Sequence, residues 1–151
     1  MAYIQPEDQQ MLRELFAKEL DGEVTITCFT QRQSVLIVPG LECEYCQATR
    51  ELLEELVALA PETLHLEVKD FVADEAEAKA LGIDRIPAFI VAGKAKGKVR
   101  FFGVPAGYEF AGLVQDLIAI STGKTELRPA TETALATIPQ DLHIQVFVTP
   151  T

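Results

Sequence analysis

Between Pro6 and Leu20 the apolar residues Met11, Leu12, Leu15, Phe16 and Leu20 recur at steps of three and four, with Glu7 and Asp8 near the start. That spacing lines one face of a helix, which Asp21-Gly22 ends. Val24, Ile26 and Cys28 then alternate with Thr25, Thr27 and Phe29, a β-branched and aromatic run of period two that predicts a strand. A shorter apolar run from Val35 to Val38 stops at Pro39-Gly40 and reads as a second strand. Helical spacing returns in Leu52, Leu53, Leu56, Val57 and Leu59, with Glu51, Glu54 and Glu55 on the opposite face and Pro61 as the stop. Leu64, Leu66 and Val68 predict the next strand, and Ala73 to Leu81 an alanine-rich helix closed by Gly82. Ala88 to Val91 and Val99 to Phe102, joined by the Gly- and Lys-rich turn from Gly93 to Lys98, predict an antiparallel hairpin. Tyr108 to Ile120 is again helical in period, with Gly123 as its stop. The predicted order is α-β-β-α-β-α-β-β-α.

Beyond that point the pattern loosens. Residues Thr122 to Gln140 are rich in Thr, Ala and Pro and read as a linker with one short helix between Ala130 and Ala136. Leu142 to Val148 is strand-like but has no helix of its own. A chain of 151 residues with 48% hydrophobic side chains is long enough for one ordinary core. The net charge of −10 opposes nucleic-acid binding, which needs clustered Lys and Arg to displace counterions. The longest apolar stretches are strand-sized, well short of the roughly 20 residues of a membrane helix, so no membrane partner is expected. Met1 to Asp8 is polar and acidic where a signal peptide would begin basic and turn apolar, which predicts a cytoplasmic protein. Three cysteines do not make a disulfide scaffold, and in a reducing compartment a close pair points to catalysis or metal binding.

That pair is Cys43 and Cys46, in Cys43-Glu44-Tyr45-Cys46, at the expected start of a helix at Cys43. Two cysteines at this spacing can close a disulfide at a helix N-terminus. The unpaired N–H groups and positive dipole end there favour a thiolate over the free thiol, whose pKa is roughly 8.5. Cys43 is then the attacking nucleophile and Cys46 the resolving thiol. Glu44 opposes thiolate formation while the dipole favours it. Zinc sites use the same spacing but need about four ligands, and the other candidates, Cys28, His65 and His143, form no second close pair. Cys28 shares a strand face with Val24 and Ile26 and reads as core packing. Glu67 and Lys69 alternate with apolar residues and read either as a solvated strand face or as a proton acceptor under a dithiol.

Strand, C-x-x-C, helix, strand, helix, Ile86-Pro87, hairpin, helix: from about Val24 to Ile120 this order resembles the thioredoxin superfamily. The resemblance implies an α/β fold with a central mixed β-sheet flanked by helices, and a β-hairpin after a cis-proline. Only Pro87 matches that proline, which in the family lies against the dithiol and leaves the backbone before it, here that of Ile86, free for a substrate strand. The run from Phe101 to Phe110 and the closing Gln145 to Thr151 look like the glutaredoxin-like protein disulfide oxidoreductases of thermophiles, which join two thioredoxin-fold units in one chain. By that resemblance residues 1–121 are a first unit, 122–141 a linker and 142–151 the first strand of a second unit. The segment Gln31 to Gly40 departs from the family as an apparent insertion.

The function expected is thiol–disulfide oxidoreduction on protein substrates through the Cys43–Cys46 redox pair. The implied substrate contacts are Glu44, Tyr45, Ile86 and Pro87. No metal and no cofactor beyond the two cysteines is called for, and the partners are protein thiols or disulfides and an upstream thiol reductase. Alternatives stay open: a weakly active or inactive substrate-binding module of a larger two-unit oxidoreductase, a glutathione-dependent glutaredoxin, for which Arg50 is almost the only basic residue near the motif, and a disulfide-shuttling domain of a flavin peroxide reductase. The unpaired run 142–148 could also join two copies of the chain into a homodimer.

Overall fold

The computed structural model describes residues 3–31 and 42–148. The run Val35 to Val38 and most of the apparent insertion lie outside the described residues. Helix α1 (Pro6–Glu19) opens with proline at its first position and with Glu7 and Asp8 in its first turn, where a fixed φ and negative charge suit a helix start. Its Leu12 and Phe16 are buried. Strand β1 (Val24–Thr30) follows, then helix α2 (Cys46–Val57), strand β2 (Leu64–Asp70), the short helix α3 (Glu75–Ala80), strands β3 (Ala88–Ala92) and β4 (Val99–Phe102), helix α4 (Tyr108–Thr122) and helix α5 (Pro129–Ala136). Gly123 stops α4 in the left-handed conformation, φ 65°, which glycine adopts without a Cβ penalty.

The sheet order is β2-β1-β3-β4. β1 pairs parallel with β2 and antiparallel with β3, which pairs antiparallel with β4, so the sheet is mixed, as expected. Period-two alternation divides the two central strands between two cores. Val24, Ile26 and Cys28 of β1 and Phe89 and Val91 of β3 face a large cluster with Leu12 and Phe16 of α1, Leu52, Leu53 and Leu56 of α2, and Leu113 and Leu117 of α4. Phe29, Ala88 and Ile90 point the other way, onto Ala78 of α3 and Ile83. Burial of each large apolar side chain contributes on the order of 1.5–3 kcal/mol, and β1 and β3 collect it on both faces. The Phe89 and Phe101 rings stack with centroids 4.8 Å apart.

Two expectations are corrected. Helix α2 begins at Cys46, not at Cys43: Tyr45 is its cap residue with non-helical φ −103° and ψ 0°, and Cys46 N–H donates to the Cys43 carbonyl at 3.3 Å in a turn that precedes the helix. The run Leu142 to Val148 forms no strand in this chain. It carries the alternation but finds no neighbouring ladder, and its large apolar side chains are exposed. The short linker helix is present as α5, one residue longer than expected at its start, and has no buried residue.

Candidate redox site

Parallel pairing places the carboxyl ends of β1 and β2 side by side, Thr30 opposite Asp70. β3 runs the other way, so its first residue, Ala88, pairs with Phe29 and brings Pro87 to the same end of the sheet. The Ile86–Pro87 peptide is cis. Pro87 is buried and its carbonyl accepts a hydrogen bond from Gly103 N–H at 2.9 Å, which fixes it against the end of the hairpin. Ile86 is half-buried and packs on the smaller core.

The dithiol loop arrives at this end from β1. Gln31, directly after the strand, accepts the Cys43 N–H through Oε1 at 2.8 Å, anchoring the first cysteine to the sheet. Cys43 and Cys46 form a disulfide with Cα atoms 5.4 Å apart. Cys43 is half-buried, whereas Cys46, the first residue of α2, is only 4% exposed. Cys43 is therefore the more exposed residue of the pair, and Cys46 the shielded one. Neither a side-chain cap nor an acidic residue occupies the first turn of α2, so its positive end stays available to a sulfur anion.

Glu44 and Tyr45 are exposed between the cysteines, Tyr45 at 54%. Beside Pro87, Arg85 lies over the ring of Phe102 with its guanidinium 5.7 Å from the centroid and pairs with Asp84, whose carboxyl it holds below the ordinary range. Phe102 is half-exposed and opposite Ala88 in the ladder. The structure thus brings the four expected contact residues to one end of the sheet with the disulfide. It leaves Glu67 exposed on β2 and Lys69 paired with Glu77 at 2.6 Å, a solvated face rather than a buried acid. Cys28 is fully buried, and burial pushes its thiol up to about 12. His65 is exposed, 3.9 Å from Glu23. Among the described residues no group of three His, Cys, Asp or Glu side chains converges as a metal site, and no helix is long and apolar enough to cross a membrane.

Two residues of the site escaped the sequence reading. Gln31 carried no signal beyond its place after a strand. Thr49 did: it occupies the core stripe of α2 with Cys46, Leu52, Leu53 and Leu56, where a polar residue is out of pattern.

The thioredoxin-domain family matches residues 33–115, more than half of the chain. The protein disulfide oxidoreductase of Aeropyrum pernix is 25% identical with a TM-score of 0.70, over 91% of this chain and 56% of its own. The alkylhydroperoxide reductase AhpF of Enterococcus faecalis is 20% identical with a TM-score of 0.74, over 91% of this chain and 62% of its own, a likeness of fold. This chain thus spans about three fifths of the length of these solved structures. No curated protein matches it. A Cys-x-x-Cys disulfide leading into a helix, a cis-proline at the same end of a mixed sheet, and the family match across both place this chain in the thioredoxin-domain family.

Proposed function

We propose that this chain catalyses thiol–disulfide exchange on protein substrates, with Cys43 as nucleophile and Cys46 as resolving thiol. The observation that carries the reading is the unequal exposure of the two bonded sulfur residues at the start of α2, level with Pro87. In the reduced protein the Cys43 thiolate attacks one sulfur of a substrate disulfide, forming a mixed disulfide and expelling the other sulfur as a thiolate that takes up a proton. Cys46, deprotonated, then attacks Cys43 Sγ, closing the internal disulfide and releasing the second substrate thiolate. Two electrons pass from the dithiol to the substrate, and an upstream thiol reductase returns them. No resident cofactor enters.

Tyr45, exposed within the motif, and Ile86 with the Phe102–Arg85 pair, at the same end of the sheet, supply contacts for the peptide that carries the target disulfide, while the Ile86 backbone offers it a strand edge. Residues 1–121 form the working unit and 122–141 a linker. Residues 142–151 belong to a second unit, in keeping with the greater length of the solved relatives. A cytoplasmic setting suits this chemistry, because a reducing compartment keeps a catalytic pair in use.

The test is a redox titration of Cys43 and Cys46 by alkylation and mass in glutathione buffers, with insulin reduction alongside. A reversible two-electron transition, with turnover lost in Cys43→Ser, is expected. Turnover that survives Cys43→Ser, or thiols that do not cycle, would leave the chain as a binding module. Light scattering before and after removal of 142–148 checks the second-unit reading, which expects monomer in both cases; dimer lost on removal would assign the run to pairing between copies.

A further inference from the structure

Thr49 is completely buried, and its Oγ1 is the buried side-chain oxygen that has no hydrogen-bond partner among the described residues. Such a group is costly to keep, since it has given up water and gained nothing. Threonine in a helix ordinarily escapes by bonding a carbonyl one turn back. Here the Tyr45 carbonyl, which accepts the Thr49 N–H at 3.0 Å, takes no bond from Oγ1, and no other group among the described residues does. Thr49 stands three residues after Cys46, on the same buried face of α2, and Cα–Cβ bonds lean toward a helix N-terminus, so the two side chains are neighbours across the first turn. While Cys46 is tied to Cys43 its sulfur is a disulfide sulfur, a poor acceptor. Reduction turns it into a thiol and then a thiolate, an anionic acceptor in a buried place.

We propose that Thr49 is a positioning residue for the resolving step: its hydroxyl donates to Cys46 Sγ once the disulfide opens, and lacks a partner only in the oxidised protein. The proposal rests on the exchange reading given above. It assigns the hydroxyl a defined moment in the cycle. When Cys46 gives up its proton to solvent water to attack Cys43 Sγ, the Thr49 O–H steadies the anion, and the departing substrate thiolate takes a proton back from water. As the Cys43–Cys46 bond forms and the substrate sulfur leaves with the electron pair, the hydroxyl is orphaned again. The bond therefore favours the reduced state and makes the pair more oxidising than the same pair without it.

Among the described residues, the titratable groups on the elements packed against α2 are buried, paired or exposed. β1 presents Cys28, which burial keeps as a thiol up to about pH 12. β2 presents Lys69, paired with Glu77, and Asp70, whose Oδ1 accepts from Val72 and Ala73 N–H. On α2 itself Arg50 pairs with Glu54 at 2.8 Å, and Glu44 of the motif is exposed. The variants that test Thr49 leave all of these charges in place.

The experiment compares wild type, Thr49→Val, Thr49→Ala and Thr49→Ser in two measurements. In glutathione buffers, Val and Ala should shift the equilibrium toward the disulfide by about threefold to tenfold, and Ser should restore it. In a Cys43→Ser background, the pH midpoint for alkylation of Cys46 should rise by about half a unit to one unit with Val and Ala, and return with Ser. Coincident profiles for Thr and Val, or a Ser variant displaced as far as Val, would overturn the proposal in favour of simple packing. Having both Val and Ala keeps the test decisive where one packs poorly. Failure of wild type to cycle would sink the exchange reading, yet the Cys46 alkylation profile would still decide on Thr49.

Discussion

Val24 to Thr30 and Leu142 to Val148 are seven-residue runs of similar pattern, with apolar residues at the first, third and fifth places and phenylalanine at the sixth. One is a central strand of the sheet, with Val24, Ile26, Cys28 and Phe29 all at 0% exposure. The other has no ladder, and its Ile144, Val146, Phe147 and Val148 are between 78% and 88% exposed. Alternation states which face a strand would bury and is silent on whether a partner exists to bury it. β1 finds β2 and β3 on its flanks and helices over both faces, whereas run 142–148 follows α5, a helix that itself buries nothing. A strand without neighbours leaves its N–H and C=O groups to water and its apolar side chains open to any passing edge.

The largest difference should appear between the two phenylalanines. Phe29→Ala empties a fully buried site and should cost about 3–5 kcal/mol in urea unfolding, while Phe147→Ala should stay within about 0.5 kcal/mol of the parent. Equal losses would mean that run 142–148 is packed in solution.

The fifth positions separate the runs by chemistry. Burial pushes the Cys28 thiol from its ordinary range, around 9, up to about 12 in the fold. Between those values the unfolded chain sheds this proton and the folded chain holds it, so stability is complete below about pH 9 and falls as pH rises, by up to about 1.4 kcal/mol per unit. Urea midpoints at pH 8 and pH 10 should show the decline in the parent and a shallower one in Cys28→Ala; parallel slopes would count against it. In Val146→Cys the new thiol should be alkylated at the rate of a free cysteine while Cys28 stays protected, as mass spectrometry after brief labelling would show. The smallest effect is that of deletion: removing residues 142–151 should move the melting temperature by less than about 2 °C, because the described part of that segment makes no buried contact.

The sheet, the helices and the redox pair were open to a reading of the sequence because each rests on local pattern: period two in β1, period 3.6 in α1, α2 and α4, two cysteines three apart, and a lone proline before a hairpin. What escaped it depends on geometry between distant or irregular pieces. Glu44 and Tyr45 turn before α2 starts, and nothing in their identity places the helix boundary at Cys46 instead of Cys43. The ladder of β1 and the absence of one at 142–148 are decided by neighbours far along the chain. The orphan hydroxyl of Thr49 depends on how α2 packs in three dimensions, although a polar residue on an apolar stripe is visible in the sequence.

The bond from Cys43 N–H to Gln31 Oε1 has a use for protein engineering. It fastens the first cysteine to the residue that follows β1 through a side chain outside the C-x-x-C motif. A change at Gln31 therefore reaches the nucleophile without altering the motif: Gln31→Leu takes the acceptor from the Cys43 N–H, and Gln31→Glu leaves an acceptor there and adds negative charge beside it. The position is a remote tuning knob for the redox pair.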